Sequence, residues 1–373
     1  MSEKIFNAAN KLNGYSATIG SVNLVKESIM SMEITYQNNT PVVQGRLIVE
    51  DIVDLNMQLV WRDELVEIYY NDMFNEEVRK TFVITNVTEL YDDKFKKVFA
   101  LELQDQFSHV LENSYLTKGF KSNVGTVLKA YIAELGLGDF KTDIAVITGS
   151  EEFVVPRHVN NLDFFLGELY DRGYTFYQTK DTIYVKALSS LTPITLTPND
   201  LLNPFKNETD NQLYKNKIIN LSTQFMRRGA VLPVTKSIAY DPLTKQIKSE
   251  DDNKNLTLSL GDDLFNLQDT SNHGTREITQ SHLDFDQHKI IMRDSFMQQA
   301  ELEMVVNGYT KNDVNQVYDL QLKGNLGSPD TQIKGNMIVA GKYVSHTVID
   351  KIVGDTMIQK IHLSRANMNM RKI

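Results

Sequence analysis

The chain has 373 residues, 41% of them hydrophobic, enough for substantial cores and, at roughly 150 residues per domain, for two or three domains. It contains no cysteine, which excludes disulfides, thiolate zinc sites, iron–sulfur clusters and cysteine nucleophiles. The net charge of −9 is unevenly spread, at −7 over residues 1–118, −4 over 119–210 and +2 over 211–373, and an acidic first third suits nucleic acid poorly, because phosphates are bound by clustered cations.

No apolar run approaches the roughly 18–20 residues a membrane helix needs, so no membrane insertion is expected. The opening Met1-Ser-Glu-Lys-Ile-Phe-Asn has no apolar signal segment. Residues 28–105 read as strands. Met32–Tyr36 and Val43–Val49 alternate partially and are split by the turn Asn38-Asn39-Thr40-Pro41. Leu65–Tyr70, Thr81–Leu90 and Lys97–Leu103 follow, the last two joined by the polar turn at Tyr91-Asp92-Asp93-Lys94. A short helix is expected at Ile52–Leu59.

After Phe120 the pattern changes. Val124, Val127, Leu128, Tyr131, Ile132 and Leu135 recur at helical spacing, with Ser122 the candidate N-cap and Gly136 the stop. A second helix is expected from Asn161 to Arg172, capped by Gly173. Tyr174–Gln178 and Thr182–Lys186 read as a hairpin around Thr179-Lys180-Asp181. Residues 191–210, with three prolines, read as a connector, and 213–225 resume strand character. Residues 241–289 are polar and turn-rich, the pattern of an elaborated loop or insertion. Phe296, Ala300, Met304 and Val305 suggest a helix over Met292–Asn307, and strands return from Val317 to Leu363.

Two distant hairpins share one layout. Phe82 matches Tyr343, Val83 matches Val344, Val87 matches Val348, and Leu101 and Leu103 match Ile361 and Leu363, with turns that differ by one residue. Either hairpins simply resemble hairpins, or one β-domain occurs twice. A duplicated domain lets three chains present six similar units and so join a sixfold partner.

Chemistry-bearing patterns are few. His282, Asp284, Asp286 and His288 would share one face of a strand and suit zinc or a similar ion, or else form a solvated loop. Glu151-Glu152 and Asp92-Asp93 sit beside turns, where charge is ordinary. No Gly-x-Ser-x-Gly elbow exists, Gly136-Leu-Gly138 follows a helix rather than a strand, and Gly324-Asn-Leu-Gly327 lacks the following Lys-Ser/Thr of a phosphate loop. No catalytic, cofactor-binding or metal residue is assigned, and no cofactor is expected. Tyr174, Phe176 and Tyr184 would fall on small-domain strands, where they either pack a core or line an interface.

Three stretches carry a family resemblance. They are the acidic strand-rich opening through Thr81–Leu90 and Ala100–Phe107, the run from Phe153 to Tyr177 with its Asn161-Leu-Asp-Phe-Phe-Leu-Gly-Glu-Leu-Tyr-Asp-Arg-Gly173 helix, and the C-terminal part, Asp294–Asn307 through Gly341–Ala366. In their order and spacing they resemble the baseplate hub proteins of contractile-tailed bacteriophages, of the T-even type. They are also similar to the N-terminal hub part of the valine-glycine repeat spike proteins of type VI secretion. A second Phe, Phe165, departs from the family's helix pattern, and residues 241–289 match nothing in it.

The resemblance implies a mostly-β α+β fold. Two tube-like antiparallel β-domains, 1–118 and 211–373, would flank a small α+β domain and connector at 119–210. It implies a structural, non-enzymatic homotrimer in the virion, made in the host cytoplasm. That trimer would join the hexameric tail tube to the central spike, touch tape measure and baseplate wedge proteins, and let DNA pass without specific binding. The rival accounts are a cell-envelope hydrolase using acids in 241–289, and a distal tail protein of a non-contractile phage.

Overall fold

The computed structural model describes residues 12–51, 63–72, 75–93, 96–115, 119–147, 151–153, 158–187, 201–202, 216–225, 234–241, 246–251, 275–280, 300–320 and 341–365. The first third holds strands β1 (Gly14–Ile19), β2 (Val22–Asn23), β3 (Ile29–Gln37), β4 (Gln44–Glu50), β5 (Leu65–Asn71), β6 (Glu77–Asp93) and β7 (Lys96–Asp105). Helix α1 (Gln106–Glu112), β8 (Phe120–Ser122), α2 (Val124–Glu134), β9 (Lys141–Ile144), β10 (Glu151–Phe153), α3 (Asn161–Asp171), β11 (Tyr174–Gln178) and β12 (Thr182–Ala187) follow. The remainder is β13 (Leu201–Leu202), β14 (Asn216–Phe225), β15 (Val234–Asp241), β16 (Gln246–Asp251), β17 (Thr275–Gln280), β18 (Ala300–Asn307), β19 (Val317–Leu320), β20 (Gly341–Val353) and β21 (Thr356–Arg365). The fold is therefore mostly β with few helices, as expected.

One 13-stranded sheet runs in the order β13-β14-β18-β21-β20-β3-β4-β7-β6-β5-β1-β2, with β19 also on β20. Its inward residues alternate with outward polar ones, the period-2 signature of a sheet with one buried face. Met32, Leu47, Leu101, Phe82, Met304, Tyr343 and Ile361 belong to a single core built from both ends of the chain.

The suspected repeat is a five-strand unit that occurs twice. β3-β4-β7-β6 with β5 recurs as β14-β18-β21-β20 with β19, all antiparallel. The registers coincide pair for pair. Met32 faces Leu47, Leu47 faces Leu101 and Leu101 faces Val87. Likewise Leu221 faces Met304, Met304 faces Ile361 and Ile361 faces Val348. Leu65 and Val66 oppose Val83 and Phe82 as Val317 and Tyr318 oppose Val344 and Tyr343.

The bulges coincide too. One falls between Ile29 and Ser31 and its counterpart between Ile218 and Asn220; another falls between Ile84 and Asn86 and its counterpart between Ser345 and Thr347. A bulge inserts one residue and bends its strand, so matched bulges mean matched curvature. The one-residue difference between the hairpins is a further bulge at Leu90, between Glu89 and Tyr91, absent from β20.

The small α+β region packs α1, α2 and α3 with the three-stranded sheet β11-β12-β9. Phe107, Leu128, Phe165, Leu169, Phe176 and Val185 form its core. Each helix starts on a side chain that accepts from the N–H three residues on: Asp105 from Ser108 at 3.0 Å, Asn123 from Thr126 at 2.8 Å and Asn160 from Asp163 at 2.7 Å. The N-cap of α2 is thus Asn123, not Ser122, which closes strand β8 instead. Gly136 and Gly173 end their helices with φ of 72° and 80°, left-handed values that cost glycine little.

Three further expectations are corrected. Tyr91, Asp92 and Asp93 are not turn but the end of strand β6, laddered to Val98, Lys97 and Lys96 of β7. Residues 300–307 form strand β18, not a helix. Ala300 and Met304 do share a helical spacing, but Leu302, Met304 and Val306 also alternate, and all three are buried. β14 and β21 supply ladders on both sides, which decides for the strand. Residues 241–289 are more than loop, because β16 and β17 flank β15 in a separate three-stranded sheet, the β15–β17 pairing parallel. The helix expected at Ile52–Leu59 lies outside the described residues. β1, β2 and α1 had no sequence counterpart in the expectations.

Candidate functional site

The turn of the β11–β12 hairpin, Thr179-Lys180-Asp181, enters a buried polar junction against both copies of the repeated unit. The backbone N–H of Lys180 donates to Asp313 Oδ2 at 3.0 Å, and Lys80 Nζ, from β6, donates to the Thr179 carbonyl at 3.0 Å. Lys180 Nζ stands 3.0 Å from Asp350 Oδ2 of β20, with the two side chains 6% and 1% exposed. The contact is an ion pair. Asp350 is held further by Tyr70 OH and by Gln359 Nε2, which donates to Oδ1 at 2.7 Å.

The Tyr36 ring lies 5.0 Å from the Lys80 ammonium and 5.9 Å from that of Lys180, within cation–π range of both. Gln178 in its favourable amide orientation accepts from Lys80 Nζ and donates to Pro41 O and Asp105 Oδ1. Asp105 also takes the N–H groups of Val43 and Ser108.

Two lysines and three aspartates thus share one water-poor site. Burial pushes Asp313 up to about 6, aided by the like charge of Asp350, and draws Lys80 down to about 8. Burial raises Asp105 as well. The polar atoms face one another, so the arrangement suits a lock between parts of the chain.

This site was legible in phase, though we did not single it out from sequence. Val78, Lys80, Phe82 and Ile84 all face inward on β6, as do Val348, Asp350 and Ile352 on β20. A charge in step with a buried apolar series was the available signal.

A second feature is the sheet rim where the two matched hairpins end. It exposes Leu90 at 47%, Tyr91 at 51% and Val353 at 52%. On the outer face the units diverge: Arg46 pairs with Glu102 at 3.2 Å in the first, whereas the matching strands of the second bring Glu303 opposite His362.

His282, Asp284, Asp286 and His288 lie outside the described residues, as do Gly324 and Gly327. No group of three or more metal-ligating side chains exists among the described residues. Glu151 and Glu152 form strand β10, with Glu152 opposite Lys121, and Asp92 and Asp93 end β6. Phe176 is buried in the α+β core, Tyr174 packs at its edge, and Tyr184 packs against the large sheet, stacked on Tyr177 at 5.2 Å.

The fold is shared with solved tail proteins. A tail protein from Neisseria meningitidis MC58 superposes with a TM-score of 0.62 at 11% identity, covering 94% of this chain and 97% of that one. A 43 kDa tail protein of prophage MuSo2 from Shewanella oneidensis gives 0.60 at 10% identity, covering 95% and 98%. An Escherichia coli component of the type VI secretion system, described as structurally similar to tail proteins of bacteriophage T4, gives 0.51 at 11% identity, covering 96% and 76%.

No family model matches the sequence. A curated relative, type IV inositol polyphosphate 5-phosphatase 11 of Arabidopsis thaliana, is 34% identical over 77 residues, 21% of this chain and 22% of that protein. The chain thus spans under a quarter of that relative, and no activity is carried over from it.

Proposed function

We propose that the chain is the structural, non-enzymatic hub of a phage tail baseplate. Three copies join the hexameric tail tube to a central spike and enclose the channel through which DNA leaves. The observation that carries this reading is the duplicated five-strand unit, matched in register and in bulges, within a fold shared along almost its whole length with tail proteins. Two such units per chain let three chains present six similar surfaces without a symmetry clash.

The proposed division is 1–118, 119–210 and 211–373, with α1 packing into the middle part and the buried lysine–aspartate junction fixing that part to both units. Further partners would be tape measure and baseplate wedge proteins, and the location is the virion tail, after synthesis in the host cytoplasm. Light scattering on the chain alone and mixed with its spike protein tests the reading. Three copies are expected in at least the mixture, and a stable dimer or hexamer in both conditions would overturn it.

A further inference from the structure

We propose that the buried Lys180–Asp350 pair condenses within the folded chain into an isopeptide bond, Nζ of Lys180 joined to Cγ of Asp350, with release of one water. The bond staples the β11–β12 hairpin to β20. It concerns a single chain, so it stands apart from the hub reading.

The argument starts from the missing water. At the surface, Lys26 pairs with Asp355 and Lys311 with Glu76 in the open, where hydration holds both groups as ions. Lys180 and Asp350 have no such support. Their side chains are 6% and 1% exposed, with Nζ 3.0 Å from Oδ2. Two buried ions forfeit their hydration, and their mutual attraction only partly offsets the loss. Condensation to a neutral amide removes both charges from the interior.

Both reacting groups are held by backbone. The Lys180 N–H donates to Asp313 Oδ2, and the preceding carbonyl, of Thr179, accepts from Lys80 Nζ, each at 3.0 Å. The turn also closes on itself, the Thr179 N–H donating to the Thr182 carbonyl at 2.9 Å. Asp350 sits inside a ladder, opposite Gln359 on one side and Ile34 on the other. Groups fixed in contact and well oriented react with effective concentrations of about 10⁵–10⁸ M, far above anything two free side chains reach in water.

The carboxyl of Asp350 is polarised at both oxygens. Gln359 Nε2 donates to Oδ1 at 2.7 Å and Tyr70 OH donates to Oδ2 at 2.5 Å. Donors so placed stabilise the charge that builds on oxygen when the carbon is attacked. Lys180 Nζ, although close to Oδ2, is not aligned on it as a hydrogen-bond donor. The nitrogen therefore has no directed bond to break before its lone pair turns to the carbon. The neighbouring carboxylates are engaged elsewhere. Asp313 takes the N–H groups of Lys180 and Val314, and Asp105 those of Val43 and Ser108.

The step balances without a co-reactant. The Lys180 ammonium passes one proton to Oδ2 of the Asp350 carboxylate. The resulting amine attacks Cγ, which forms the Nζ–Cγ bond and places negative charge on Oδ1, against Gln359. The Cγ–Oδ2 bond then breaks as a second proton moves from Nζ to Oδ2. Water departs, the carbonyl re-forms at Oδ1, and one N–H remains on the amide. Nothing is oxidised or reduced.

The chain has no cysteine, so a loop that survives denaturation cannot be a disulfide. A bond from residue 180 to residue 350 closes such a loop and restricts the unfolded chain as any internal cross-link does.

Intact mass spectrometry of the full chain tests the proposal. The chain is denatured for measurement after purification, and again after prolonged incubation in the folded state. Its mass should fall below the sequence mass by one water, and proteolysis should yield a branched peptide that joins residues 180 and 350. Lys180→Arg keeps the cation but has no primary amine, so that variant should retain its full sequence mass. Full mass in the unsubstituted chain after folded incubation overturns the proposal. So does a loss of water without the branched peptide, as a succinimide at another aspartate would give, and so does the same loss in Lys180→Arg. The unsubstituted chain decides by itself, whether or not the variant folds.

Discussion

The hydroxyl of Tyr70, on β5, donates to Oδ2 of Asp350, on β20, at 2.5 Å across 280 residues of sequence. These strands are five places apart in the sheet, so their inward side chains meet only because the sheet curls back on itself. Asp72, just after β5, accepts both the N–H and the hydroxyl of Thr310 from the other end of the chain, each at 3.0 Å. The two repeated units are therefore bound twice, through the β20–β3 ladder and across the interior.

Removing one partner of the buried ion pair should be costly. Lys180→Met leaves Asp350 charged and buried, and Asp350→Leu does the same to Lys180, so each should lose about 3–5 kcal/mol of unfolding free energy in urea titration. The double variant should lose much less than the sum of the singles, since it leaves neither charge uncompensated. Additive losses would mean that the pair is not a coupled unit.

The junction should also set how stability varies with pH. Asp313 is raised from 3.8 to about 6, so between those values the folded chain holds a proton that the unfolded chain has lost, and this group's contribution falls as pH rises. His346 is lowered from 6.5 to about 4 by burial and by His362, so its contribution rises over nearly the same window. The two oppose each other. Melting temperature should climb more steeply from pH 4 to 6.5 in Asp313→Asn than in the unsubstituted chain, and less steeply in His346→Asn. A parallel profile in Asp313→Asn would contradict the assignment. Lys80, drawn down to about 8 from 10.5, adds a separate rise between those two values, which Lys80→Met should abolish.

Equivalent core positions should behave equivalently. Leu101 and Ile361 are both fully buried at matched places in the two hairpins. Leu101→Ala and Ile361→Ala should each cost about 2–5 kcal/mol, and by similar amounts, in denaturant unfolding. Glu102 and His362 occupy the opposite, partly exposed face, so Glu102→Ala and His362→Ala should shift stability by no more than about 0.5 kcal/mol each. A large loss in only one of the two core variants would break the equivalence.

If the acidic first third lines a channel, duplex DNA should slide without being held. Fluorescence anisotropy at low salt should detect no binding. Micromolar affinity that weakens steeply with added salt would contradict a DNA-conducting lumen.

Much of this architecture could be read along the chain because it depends on local chemistry. Alternation marked β3 to β7, helical spacing marked α2 and α3, and the side chains of Phe82 and Tyr343 marked two alike hairpins. Buried β residues repeat every second position whatever lies beyond them, so that signal survives without knowledge of neighbours. The tertiary structure decided what alternation alone leaves open. Ala300–Asn307 satisfies both periods, and only ladders to β14 and β21, distant in sequence, make it a strand. The pairing of β20 with β3, the recurrence of whole five-strand units and the meeting of Lys180 with Asp350 each join residues more than a hundred positions apart. Sequence carries the face on which a residue points, but which face it meets is set when the sheet curls and the chain's two ends come to share one core.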